Sequence, residues 1–223
     1  MTSSECPPLQ DRITKSLLGY GVIAGPIYVV VAAAQALTRD GFNPTRHAVS
    51  QLANGSLGWI QIANFVVVGA MTVAAAVGVG RALRPHRAGR WAALLLGGYG
   101  VALLIAAALR ADPSDGFPPG TPPGPPSAMS WHGVGHLVAA GLGFACFVVA
   151  GFLVGAVFAH DGRAGWAWAS RAVAVFFAAS FLVLASGRGG VGAVLCFTAA
   201  VVLGWAWLTA VSVALYGRVG AAR

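Results

Sequence analysis

The chain has 223 residues, of which 57% are hydrophobic and 9% charged. Apolar runs near the roughly 20 residues needed to cross a bilayer recur along it, which excludes a soluble enzyme and places the sequence in the membrane class. The formal net charge of +8 rests on arginines in connectors such as "RALRPHRAGR" at 81–90, so it points to membrane topology and anionic headgroups and not to nucleic acid.

Taken in chain order, length, low charge and flanking breakers predict helices over 17–37, 57–80, 91–110, 132–158, 170–187 and 191–215. The expected fold class is an all-α integral membrane protein, a compact bundle of six transmembrane helices. Its fifth segment is short and is parted from the sixth only by "SGRGG" at 186–190, so a re-entrant hairpin there would reduce the count to four. Residues 1–16 and 216–223 read as tails. Between them, 17–215 reads as one transmembrane domain whose sizeable connectors are 38–56 and 111–131. The first span ends in "AAAQAL", a passable cleavage site, but its apolar run exceeds the 7–15 residues of a signal peptide, so it reads as an uncleaved anchor.

Basic residues set the expected orientation. Arg12, Lys15, the four arginines of 81–90, Arg163, Arg171, Arg218 and Arg223 lie on one side, against Arg39, Arg46, Arg110 and Arg188 on the other. That imbalance puts both termini in the cytoplasm. Thirteen arginines against one lysine, with abundant Ala, Gly and Val, suggest a GC-rich bacterial genome and hence the plasma membrane. Cys6, Cys146 and Cys196 fall at different depths and imply no disulfide. Gly21-x-x-x-Gly25 and Gly151-x-x-x-Gly155 suit close helix packing within the bundle, and leave the oligomeric state open.

Polar residues concentrate at one depth. Gln35, Gln61, Asn64, Arg110, Asp112, His132, His136, Ser186 and Arg188 all fall at the outer ends of their helices, while the loop at 38–56 adds Arg39, Asp40, Arg46, His47 and Ser50. A charge in the hydrocarbon zone costs of order 2–3 kcal/mol even on lenient scales, so these groups are expected to face inward and converge on one outward-facing pocket. Arg46, Gln61, Asn64, Arg110 and Arg188 are its candidate ligand-binding residues, suited to a lipid headgroup or small anion, and membrane lipids are the expected partners. Part of the loop also reads as ordinary turn chemistry, with Asn43-Pro44 a turn and Arg39 and Asp40 interfacial charges. The segment "ADPSDGFPPGTPPGPPSAMS" at 111–130 reads as a semi-rigid, polyproline-like strap, because its prolines remove donors and push preceding residues to extended geometry.

The segments "NPTRHAVSQLANGSLGWIQIANFVVVG" (43–69) and "DPSDGFPPGTPPGPPSAMSWHGVGH" (112–136) resemble the prokaryotic multi-pass membrane proteins grouped as domain-of-unknown-function 998. The resemblance covers roughly 15–215. It implies a compact polytopic helical fold and assigns no activity.

His132 and His136, at i and i+4, stand on one helix face and can share a metal, with a third ligand from Asp112, Asp115 or His47. Zinc is the cofactor such a set would take. Residues 133–135 are Gly-Val-Gly, so the glutamate of an H-E-x-x-H protease is absent. The order His47, Ser50, Asp112, His132-x-x-x-His136 is similar to the Ser, His, Asp and H-x-x-x-H set of the alkaline ceramidase and adiponectin-receptor membrane hydrolases. That similarity makes Asp112, His47 and Ser50 candidate catalytic residues, with Arg46, Arg110 or Arg188 on a lipid phosphate or oxyanion. Equally, the two histidines can be hydrogen-bonding residues that tie the strap to the bundle. Haem is disfavoured, since both histidines lie on one helix. Three readings stay open: a pocket for a lipid headgroup or small ligand, a zinc-dependent hydrolase of lipid-like substrates, and a structural or accessory subunit. Transport is disfavoured by the lack of a visible inverted repeat or of a polar path to the other side.

Overall fold

A computed structural model describes residues 8–187 and 190–220. The described residues form six long helices: α1 Leu9–Thr38, α2 Gly58–Ala82, α3 Arg87–Ala108, α4 Trp131–His160, α5 Ala164–Ala185 and α6 Gly190–Arg218. All six are long and apolar enough to cross a membrane. At 22 residues, α5 spans about 33 Å and is a full helix, so the four-span alternative falls away. Cys6, Arg188 and Arg223 lie outside the described residues.

The largest departure from the expected boundaries is at the start of α1, which begins at Leu9 instead of residue 17. Residues 10–16 are too polar for a hydropathy window to include. Their helix is held from the side: Arg81 of α2 donates to Thr14 Oγ1 (2.9 Å) and to both the backbone and side-chain oxygens of Gln10. Consecutive helices pack on one another and α6 returns to α1, which closes a ring. Small residues make that closure possible. A Cβ at Gly25 would stand 2.9 Å from the Trp205 carbonyl oxygen of α6, and one at Gly155 would stand 3.0 Å from the Ala167 carbonyl oxygen of α5. Both glycine pairs thus serve contacts inside the bundle.

The two ends of the ring differ. One carries the short connectors 83–86 and 161–163 and both ends of the described chain, and is rich in arginine; we call it the basic end. The other is the capped end. There a 3₁₀ turn, Val49–Ala53, dips into the mouth of the ring with Leu52 and Ala53 fully buried. Over it lies the proline-rich connector, which is not the extended strap its composition suggests. It folds on itself, with Asp115 N–H donating to Gly124 O (2.8 Å), Gly116 N–H to Pro122 O (3.2 Å) and Thr121 N–H to Pro118 O (3.0 Å). Prolines keep their carbonyls, and the few residues with N–H groups reach back to them. Asp115, at φ 54°, and Gly120, at φ 95°, supply the left-handed turns this requires.

Trp59 and Trp131 are exposed at the capped end, and Trp91 and Trp168 at the basic end, as interfacial belts would have them. Trp205 and Trp207 are buried in the core, where Trp207 Nε1 donates to Ser170 Oγ (3.0 Å).

Candidate functional site

The junction of α3 and α4 is built around Ser130, the residue preceding α4. Its hydroxyl accepts from Gly133 N–H (3.0 Å) as a helix cap and donates to Asp112 Oδ1 (2.5 Å), while its own N–H donates to Asp112 Oδ2 (2.9 Å). Gly133 has to be glycine here, because any Cβ would collide with the Asp112 carboxylate. His132 Nδ1 lies 3.0 Å from the Arg110 carbonyl and 2.9 Å from Ser130 Oγ, and His136 Nδ1 lies 2.7 Å from the Leu109 carbonyl. A carbonyl can only accept, so both rings donate from Nδ1. The two histidines therefore tie α4 to the end of α3.

The Ser130 hydroxyl and amide hold the Asp112 carboxyl below its usual value of 3.8. A depressed folded-state value stabilises the fold in full above the unfolded value and is lost as pH falls through the folded one. Protection of the amides across 128–135, taken relative to their intrinsic exchange rates, is thus expected to hold down to about pH 3.8 and to fall below it. In Asp112→Asn that protection should be lower throughout and lose its dependence on pH.

Under the connector, His47 is buried, with Nδ1 accepting from Asn43 N–H (2.9 Å) and Nε2 donating to the Asp115 carbonyl (3.1 Å). Both nitrogens are committed to backbone, so His47 clasps the two loops together. Gln51 does the same, donating to the Asp112 carbonyl (2.9 Å) and Ser114 Oγ (3.2 Å) and accepting from Asn54 (2.9 Å). Arg39 reaches across from the end of α1 to the Leu52 carbonyl (2.6 Å) and the Asn54 carbonyl (2.5 Å), its guanidinium 5.1 Å from the centre of the Phe117 ring. Phe117 is fully buried against Phe42 and His47.

Gln61 and Asn64 face α1. Gln35 Nε2 donates to Gln61 Oε1 (2.9 Å), and Asn64 Nδ2 to the Tyr28 carbonyl (3.3 Å). These buried amides act as glue between α1 and α2, and Gln35 Oε1, Gln61 Nε2 and Asn64 Oδ1 have no partner among the described residues.

Below the cap lies a cavity of about 200 Å³. Its walls are aromatic and aliphatic, Tyr28, Phe65, Tyr99, Phe144, Phe181 and Phe197 foremost, and its polar groups are Ser50, Gln51, His136 and Thr198. A second cavity, about 280 Å³, lies on the other side of Tyr28, Val49, Thr198 and Val201, which line both; His47 lines this one. Tyr28 stacks on Trp205 at 4.9 Å and Tyr99 lies 5.9 Å from it, so the floor is rigid and aromatic.

The residues expected to meet in one pocket are therefore dispersed. Ser50 and His136 line the first cavity, whereas Gln61 and Asn64 do not; Arg46 and Arg110 are exposed, and Arg188 lies outside the described residues. Asp112, His132 and His136 do not bring three ligand atoms within 4.8 Å of one another. Gln51, Phe117, Tyr28 and Tyr99 matter to the site and were not singled out by sequence. A model of the family described as protein of unknown function (DUF998) matches residues 22–214. The chain belongs to the DUF998 family. No curated protein and no solved structure matches it. Family and fold together make this DUF998 chain a multi-pass helical membrane protein.

Proposed function

We propose that this DUF998 protein binds a membrane-derived amphiphile beneath its capped end, the apolar part held between the helices and the polar end at Ser50, Gln51 and His136. The observation that carries this reading is the 200 Å³ largely aromatic cavity with Ser50, Gln51 and His136 among its lining residues. That volume exceeds the ~150 Å³ of an apolar cavity that takes up benzene. It falls below the roughly 300–1,000 Å³ of a drug-sized site, which favours one segment of a longer chain. Arg46 and Arg110, exposed at the capped end, are the groups for an anionic headgroup. Nine of the described basic side chains belong to the basic end against Arg39, Arg46 and Arg110 at the other, so the basic end faces the cytoplasm and the capped end faces outward across a bacterial plasma membrane.

Lipid extraction and mass spectrometry of the detergent-purified protein, beside Ala140→Phe and Thr198→Phe, test the reading. Both substitutions add a ring to the cavity wall. One amphiphile class should co-purify with the native chain and fall at least about tenfold in the variants, equivalent to ~1.4 kcal/mol of binding, at unchanged melting temperature. An identical lipid complement in all three proteins would refute it.

A zinc-dependent hydrolase is the second reading, favoured by the Nδ1–carbonyl bonds of His132 and His136, the kind of bond that orients metal-ligating histidines. Asp112 is committed to Ser130, so the remaining ligands would come from water and substrate. Zinc that disappears in His132→Ala/His136→Ala would favour this second reading.

A further inference from the structure

At the basic end three ligating side chains from two connectors meet. His86 immediately precedes α3, His160 is the last residue of α4, and Asp161 follows it. Their ligand atoms all lie within 4.8 Å of one another, the one such grouping of three among the described residues. His86 Nε2 is 3.2 Å and His160 Nδ1 3.6 Å from Asp161 Oδ1. Tetrahedral zinc with bonds of about 2.0–2.1 Å separates its ligands by about 3.3 Å, and the two distances bracket that edge. The second carboxylate oxygen, Oδ2, is taken by Arg218 Nη2 of α6 at 2.6 Å. Arg218 therefore orients the carboxylate and leaves Oδ1 turned toward the imidazoles, the part an outer partner plays for a metal-ligating acid.

We propose that His86, His160 and Asp161 form a site for a divalent transition metal, zinc or a close neighbour in the series, that clamps the basic ends of α3, α4 and α6 and leaves one tetrahedral position open. Two imidazoles and a single carboxylate suit zinc, cobalt or nickel and not calcium or magnesium, which take oxygen ligands. His86 also lines a groove of about 620 Å³ between α2 and α3, together with Arg81, Arg84, Arg87 and Arg90. An anionic fourth ligand is the kind such a groove would deliver. This site is separate from the capped end and does not rest on the amphiphile reading.

The test is Co²⁺ titration of the full-length, EDTA-treated protein in detergent, followed by Zn²⁺ displacement. One equivalent of Co²⁺ should give intense visible bands of tetrahedral coordination, which zinc abolishes. His160→Ala, whose side chain is three-quarters exposed and leaves the Arg218–Asp161 pair intact, should weaken cobalt binding by more than the ~10–100-fold typical of losing an outer partner. Octahedral bands only, or equal binding by His160→Ala, would overturn the proposal. So would the absence of binding in a natively melting protein, which would leave the cluster a plain ion-pair latch.

Discussion

Phe117→Ala is expected to cost about 3–5 kcal/mol, the usual range for emptying a fully buried phenylalanine site. The ring does more than fill space. It sits between Phe42 (5.3 Å), His47 (5.5 Å) and the Arg39 guanidinium (5.1 Å), so one side chain joins the proline-rich connector to the loop that carries the 3₁₀ turn. Its removal should leave the six helices in place and free the connector. Limited proteolysis should then cut within 111–130 in the variant at protease levels that leave the native chain whole, and the melting temperature should drop. Conservative Phe117→Leu should restore most of the protection. Resistance of Phe117→Ala equal to the native chain would show that the connector is held by its own backbone bonds alone.

Arg39→Lys is expected to be nearly as damaging as Arg39→Ala. The guanidinium donates from two different nitrogens to two carbonyls, Leu52 and Asn54, on either side of the buried Ala53, a fork that a lysine ammonium cannot reproduce. Each hydrogen bond to a charged group contributes about 1.5–3 kcal/mol, and its loss leaves a carbonyl unpaired under the cap. Hydrogen exchange should therefore rise over 49–57 in both variants, with little change in α4 to α6. Protection in Arg39→Lys that matches the native chain would assign Arg39 to the interface and remove it from the cap.

Much of this was legible in the chain. Hydropathy located the six spans because low charge and length are what a bilayer demands, and the i, i+4 spacing put His132 and His136 on one face. What hydropathy could not register was the amphipathic start of α1, held by Arg81 from another helix. Convergence by depth was also a weaker guide than it looked. Gln61 and Asn64 lie at the expected level but turn toward Gln35 and Tyr28, because a polar residue in a membrane helix is satisfied by whichever neighbour is nearest, and rotation about the helix axis is set by packing. Phe117 carried a readable signal: it is the one aromatic side chain in twenty residues of proline, glycine and small polar groups at 111–130, where such a residue has little purpose except as an anchor. The cluster of His86, His160 and Asp161 had none, since 74 positions separate its first two members and the antiparallel packing of α3 on α4 brings them together.

The proposed amphiphile would lay its apolar chain inside the ring below the cap. A fatty-acyl lipid with a terminal photoreactive diazirine, incorporated into membranes holding the native protein and activated by light, reports on it directly through peptide mapping. Adducts should concentrate on the inward walls, Tyr99, Phe144 and Thr198, and vanish from them in Ala140→Phe. Adducts confined to bilayer-facing positions such as Leu142 and Leu195, unchanged by the cavity variant, would contradict it.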